Sequence, residues 1–346
     1  MFPKVKINIM KRLPAEWEPQ EFVQLVFPHK STDWNEYLDE AILTFFNIAN
    51  TISKYQKCLI VANDLNSIKS LFNNSKYKNN LKFVKINSDD TWSRDFGGIT
   101  IQDNNKYIIL DFKFNAWGKK FPFKLDNVIT KQLKLKGLLK QYSHQSIPFV
   151  LEGGAIESDG EGVLMTTSKC LLEKNRNPFL TKRTIEKQLI DYFGLKKVLW
   201  LNSGSLIGDD TDSHIDTLAR FIDSNTIVYQ SCDNKDDKNY EELKAMELEL
   251  KDFKNISGKP YKLIPLPNIT EIYYEEDRLP ATYANFLIIN GAVLVPTYND
   301  KNDNQALEIF KELYPKRDII GIDCNTLIKQ HGSLHCVTMQ YPKVNG

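Results

Sequence analysis

Apolar residues along the chain follow two periods in turn. The run Phe22-Val23-Gln24-Leu25-Val26-Phe27, stopped by Pro28, predicts a strand. From 34 to 53 the positions Tyr37, Leu38, Ala41, Ile42, Phe45, Ile48, Ala49 and Ile52 recur at helical spacing, which predicts a helix with one buried face. Strands over 57–62 and 81–86 flank a short helix over 65–72, so the order opens β-α-β-α-β. The alternation then returns. Strands are predicted over 107–112, 149–151, 162–167, 198–201, 226–230, 261–265, 319–322 and 334–339. Helices are predicted over 127–139, 182–193 (closed by Gly194), 240–253, 305–313 and 325–329, with a hairpin of 285–291 and 292–296 turning at Asn290-Gly291. Residues 73–80 and 233–239 are polar and read as loops.

A length of 346 residues admits one large domain or two small ones. The 45 basic and 44 acidic residues leave a net charge of +1, and dispersed lysines argue against a nucleic-acid partner held by counterion release. A small cation would instead be drawn to a local acidic hollow, and Asp209 to Asp216 is the densest acidic stretch near polar chemistry. Five cysteines without paired spacing argue against a disulfide framework and fit a reducing cytoplasm. No stretch approaches about 18 uninterrupted apolar residues, so no membrane partner is expected. The segment before Leu13 shows no motif and no secretory core. It is read as an N-terminal extension over 1–12, with Met10 a second candidate start, ahead of a single domain over 13–346.

Chemistry-bearing residues stand beside the predicted strands. Asp95, Glu152, His214, Asn285 and Cys336 are spaced roughly 60 residues apart, about one strand-and-helix unit, as if several similar units each sent one polar group to a shared centre. In Trp92-Ser93-Arg94-Asp95-Phe96-Gly97-Gly98, Asp95 could take a planar donor pair such as a guanidinium, with Trp92 covering its apolar neighbour. The competing reading is a surface turn in which Arg94 and Asp95 bond locally. Glu152, before Gly153-Gly154, either orients a histidine from a strand end or lies exposed in a turn. In Asp209-Asp210-Thr211-Asp212-Ser213-His214-Ile215-Asp216 an extended backbone would put His214 and Asp216 on one face, as an acid/base or as a satisfied structural pair. Cys336 is a nucleophile if a cation favours its thiolate, and otherwise an inert buried thiol. Cys58, Cys170, Cys232 and Cys324 read as structural. His331, His335 and Cys336 lack a second ligand pair of standard spacing, which argues against zinc.

Taken together these stretches resemble the agmatine deiminase family, relatives of the bacterial-type peptidylarginine deiminases in the guanidine-modifying, or pentein, superfamily. The resemblance runs from Leu13 to about Pro342. It rests on Pro14-Ala15-Glu16-Trp17, Trp92 to Gly97, Phe114-Asn115-Ala116-Trp117-Gly118, Glu152-Gly153-Gly154, Asn175-Arg176-Asn177-Pro178, Asp209 to Asp216, Tyr283-Ala284-Asn285-Phe286, and His335-Cys336 with Thr338. It implies an α/β fold, a five-bladed α/β propeller. It also implies that Asp95 and Asp216 grip a guanidinium, His214 is the acid/base, Glu152 positions that histidine and Cys336 is the nucleophile. Asn285 and Trp92 are expected in the pocket. The implied reaction is cytoplasmic hydrolysis of agmatine to N-carbamoylputrescine and ammonia, without metal or organic cofactor, in a homo-oligomer. Deimination of free or peptidyl arginine, amidino transfer and non-catalytic guanidine binding remain alternatives. The family commonly has Pro where this chain has Gly98, Gly where it has Ser213, and a glycine-rich approach where it has Gln330-His331-Gly332-Ser333-Leu334. These departures bear on pocket shape.

Overall fold

The computed structural model describes residues 11–344, which form a mixed α/β fold. Five sheets share one pairing pattern. In the second unit Ile99–Asp103 pairs antiparallel with Lys106–Lys113, which pairs parallel with Ser143–Val150. The same antiparallel-then-parallel order joins Ile156–Ser158, Val163–Thr167 and Lys197–Leu201. It recurs in Ala219–Asp223, Thr226–Gln230 and Lys262–Leu266, and in Leu287–Ile289, Ala292–Thr297 and Asp318–Asp323. The remaining sheet joins the chain's two ends: Thr338–Pro342 lies antiparallel to Gln20–Val26, which runs parallel to Lys57–Ala62 and through it to Leu81–Lys85. Parallel neighbours need a crossover long enough to return the chain, and helices fill that role. Leu38–Tyr55 does so between the first two strands, turning Ala41, Phe45, Ile48 and Ile52 inward, and Lys182–Phe193 and Tyr240–Asp252 serve later units.

Three strands absent from the sequence-based expectation open their units: Ile99–Asp103, Ile156–Ser158 and Ala219–Asp223. The last two are hidden because inward positions carry charge, Glu157 and Arg220 being buried and paired with each other, and the first because polar Thr100 and Gln102 are buried in it. The predicted helix over 127–139 is shorter, Ile129–Leu135 after a 3₁₀ turn, and gives way to a Gly137 at φ 74°. The predicted strand over 334–339 begins only at Thr338, so Cys336 lies in a turn ahead of it. The N–H groups of His335 and Cys336 both donate to the Asn285 side chain, at 2.8 and 3.3 Å, and so cannot enter a ladder.

The expected extension over 1–12 lies mostly outside the described residues. Arg12 is already part of the folded body, bridged to Gln102. One apolar cluster reaches from Leu13 to Tyr341, with a second around Met165, Phe221 and Met246. No helix among the described residues is long and apolar enough to cross a membrane. Each chemistry-bearing residue stands in the segment just before an opening strand: Asp95 before Ile99, Glu152 before Ile156, His214 and Asp216 before Ala219, Asn285 before Leu287, and Cys336 before Thr338.

Candidate active site

Asp95 sits in the one-turn helix Ser93–Phe96, and both it and Arg94 are buried, which removes the surface-turn reading. Its carboxylate accepts the Trp117 indole N–H on Oδ2 at 3.0 Å and the Gly154 N–H on Oδ1 at 3.1 Å. Arg94 turns elsewhere, donating its backbone N–H to the Cys336 carbonyl at 3.1 Å and its Nε–H to the His335 carbonyl at 3.4 Å.

The segment holding His214 and Asp216 is not extended. Asp212 and Ser213 take left-handed φ of 66° and 69°, and His214 heads the 3₁₀ turn Ile215–Thr217. Asp209 shapes this reversal by accepting the Ser213 N–H at 2.7 Å. The two side chains nonetheless meet. A β-carbon placed on Gly154 would lie 2.6 Å from His214 Nδ1, 2.9 Å from Asp95 Oδ1 and 3.1 Å from Asp216 Oδ2, so three buried groups converge on a spot kept open by glycine. His214 Nδ1 stands 3.7 Å from Asp95 Oδ1. Burial pulls the His214 pKa down, but Asp95, Cys170 and Glu152 outweigh it and the ring is left well above its usual value. Burial pushes Asp95 up to about 6, although His214 opposes it.

Cys336 Sγ lies 4.0 Å from Asp216 Oδ2 and 3.4 Å from Asn285 Oδ1. Burial, then the charges of Asp216 and Asp95, hold the thiol well above its ordinary pKa. Asp216 Oδ1 is buried without a hydrogen-bond partner among the described residues. A cavity of about 170 Å³ opens onto Asp95 and Cys336, walled by Trp92, Trp117 and Phe121, with Asp33, Asp90 and Asp210 around it. Burial lifts Asp90 and Asp210 to about 6 each. Trp92 is pinned by its indole N–H to Asp90 Oδ2 at 3.0 Å. Gly332 lies so close beneath it that any side chain there would overlap the ring. Asn285 stands behind the thiol, clamping the turn, and does not face the cavity.

Comparison with known proteins places these residues in a family. A model of the Porphyromonas-type peptidyl-arginine deiminases matches residues 12–342. The chain belongs to that family. Agmatine deiminase from Pseudomonas aeruginosa is 30% identical over 96% of this chain and 95% of its own. A cysteine-to-serine variant of C. jejuni agmatine deiminase, solved with substrate bound, is 42% identical, covers 96% of this chain and 97% of its own, and superposes with a TM-score of 0.91. A Porphyromonas gingivalis structure, provisionally described as an arginine deiminase, is 48% identical over 96% of this chain and 99% of its own, with a TM-score of 0.93.

Several residues of this deiminase site went unassigned in the sequence. Arg176 donates Nε–H to both oxygens of the fully buried Glu152, at 2.9 and 3.0 Å, and Nη1–H to Asp212 at 2.6 Å. Cys170, read as structural, lies with Glu152 and His214 so that their ligand atoms are all within 4.8 Å of one another. That triad could hold a metal ion in principle, but Arg176 already occupies both Glu152 oxygens. The family motifs around Trp117 and Arg176 were the available signal; their roles depended on contacts across 22 and 24 residues. Of the departures, Gly98 packs against Ile109 and Thr130 away from the cavity, whereas Gln330 and His331 line it.

Proposed function

We propose that this deiminase hydrolyses agmatine to N-carbamoylputrescine and ammonia through a covalent intermediate on Cys336. The carrying observation is that a buried, half-unpartnered Asp216 lies 4.0 Å from a thiol and converges with Asp95 at Gly154, beside an acid-lined cavity that Asp95 and Cys336 line. A guanidinium resists attack because resonance spreads its charge. Asp95 and Asp216 fix its plane and its position against Cys336. Arrival of the cation offsets the two carboxylates that hold the thiol protonated, the thiol gives up its proton to solvent, and the thiolate then attacks the central carbon. His214, charged at rest, donates a proton to the departing ammonia. It then takes one from the water that cleaves the thiouronium-type adduct. Glu152, fixed by Arg176 and within 4.8 Å of a His214 ring nitrogen, favours the charged imidazole through its negative charge.

The cavity favours a dication. Among the described residues His331 is the only basic one lining it, whereas Asp33, Asp90 and Asp210 suit an ammonium at the far end of the substrate. The relatives from P. aeruginosa and C. jejuni are agmatine deiminases, in line with this reading. Free arginine is the second reading, favoured by the P. gingivalis neighbour; its carboxylate would meet acid rather than a guanidinium clamp. Ammonia release from agmatine, arginine and an arginyl peptide decides among them. Agmatine should be preferred at least tenfold in kcat/KM, and Cys336→Ser should abolish release while melting normally. Preference for arginine would overturn the agmatine assignment, and unchanged turnover in Cys336→Ser would overturn the nucleophile.

The five like sheets, with the last strand paired to the first, support a five-bladed α/β propeller forming one catalytic domain from 13 onward. Five unpaired thiols support a cytoplasmic setting. Self-association rests on the family resemblance, and light scattering tests it.

A further inference from the structure

From this network we infer that His335, the residue before the thiol, is a positioning residue that locks Asp216 through its Oδ2, beside the thiol, and leaves Oδ1 free to receive a guanidinium. The inference rests on the deiminase reading above and deepens it.

His335 is buried between two carboxylates: Nδ1 is 2.7 Å from Asp216 Oδ2 and Nε2 is 2.7 Å from Glu16 Oε2. An ionised carboxylate can only accept, so a ring satisfying both must donate from both nitrogens and carry two protons. The far end of the lock is anchored in the sheets. Glu16 Oε1 accepts the Ile288 N–H at 2.7 Å and Oε2 accepts Arg220 Nη2–H at 2.7 Å. Arg220 in turn donates to Glu157 and to the Phe286 carbonyl, and stacks on the Phe286 ring at 4.4 Å. Ile288, Arg220 and Glu157 belong to the opening strands of three different units, so the imidazolium is held by framework and not by loop. Neither Glu16 nor Arg220 enters the cavity that ends at Cys336.

The pocket contains its own control. Asp216 and Asp95 are comparably buried, yet only Asp216 is hydrogen-bonded to a histidine, His214 standing 3.7 Å from Asp95. Burial pushes Asp216 upward, but the His335 hydrogen bond and charge, with His214 and Arg220, bring it below its ordinary value; Asp95, without such a bond, sits at about 6. The groups facing Asp216 are His335, His214, Arg220, Arg94, Asp95 and Cys336, and those facing His335 are Asp216, Glu16 and Glu157. Removing His335 therefore frees Asp216 Oδ2 to rotate and favours its neutral form, weakening the grip on a cation while relieving part of the charge that holds the thiol protonated.

The test is His335→Gln, with Glu16→Gln as the second variant should the first fail to fold. KM for agmatine should rise about tenfold or more at pH 7 with kcat changed by less than about threefold, and the KM penalty should shrink to about threefold by pH 9, where Asp216 ionises unaided. A purely structural defect would not be recovered by alkali. In parallel, alkylation of Cys336 by cationic 2-chloroacetamidine and by neutral iodoacetamide is followed by mass. The wild-type preference for the amidinium should fall about tenfold in the variants, with the neutral reagent reacting at least as fast as with wild type. An unchanged KM, an equal penalty at both pH values, or parallel loss with both reagents would overturn the inference. Failure of the wild-type chain to release ammonia from agmatine would instead refute the substrate assignment, and the alkylation pair would still decide the role of His335.

Discussion

Gly154→Ala probes the centre of the site more sharply than removing any of its charged groups. The added methyl would lie 2.6 Å from His214 Nδ1, 2.9 Å from Asp95 Oδ1 and 3.1 Å from Asp216 Oδ2. Relaxed contacts near 3.5 Å would require displacements of about 0.9, 0.6 and 0.4 Å respectively. Misplacement of reacting groups by about 1 Å costs on the order of a hundredfold in rate. That corresponds to about 2.7 kcal/mol of barrier. Overpacking costs about 1–3 kcal/mol of stability. The chain should therefore melt a few degrees lower yet remain folded, while kcat/KM for agmatine falls at least about a hundredfold. Ammonia release and thermal denaturation are read on the same preparation. Gly153→Ala is the contrast: its methyl would overlap the Arg94 carbonyl, a backbone atom that cannot step aside, so it should compromise folding itself. A folded Gly154→Ala chain with kcat/KM within about threefold of the parent would show that His214, Asp95 and Asp216 do not act from this point.

Other perturbations bear on the supports. Arg176→Met leaves Glu152 buried without its cation and should cost about 3–5 kcal/mol, measured by urea unfolding; a loss under about 1 kcal/mol would mean that the pair does not hold this corner. Ser213→Gly relieves a left-handed serine at φ 69° and should raise stability by about 0.5–1 kcal/mol, once the added freedom of the unfolded chain is subtracted. Destabilisation of that variant would point to a role for the hydroxyl. The pH profile follows from Asp95. Its carboxyl is ionised above about pH 6 and neutral below, so kcat/KM should fall as pH drops through that value, whereas Asp216, lowered by His335 and its neighbours, stays charged. A profile flat down to pH 4.5 would contradict the Asp95 assignment.

The main strands and helices were legible because their periodicity reflects burial on one face, as in Leu38–Tyr55 and Thr226–Gln230. Strands whose inward positions carry charge were not, Arg220 and Glu157 being satisfied only by partners far along the chain. The motif residues Asp95, Glu152, His214, Asp216 and Cys336 could be named from the sequence, while their surroundings could not. Local reasoning put His214 and Asp216 on an extended run and Cys336 in a strand; left-handed residues at Asp212 and Ser213, and the Asn285 clamp, replace both with turns.

By itself, then, the sequence determined the alternation of strand and helix, the spacing of the chemistry-bearing segments and the types of group they contain. Only the tertiary structure decided that His214, Asp95 and Asp216 meet at Gly154, that Trp117 and Gly154 donate to Asp95, and that His335 joins Asp216 to Glu16. The physical reason is range. Periodicity is a property of neighbours along the chain, whereas the burial and pairing that set a carboxylate's charge come from residues that only folding brings alongside it.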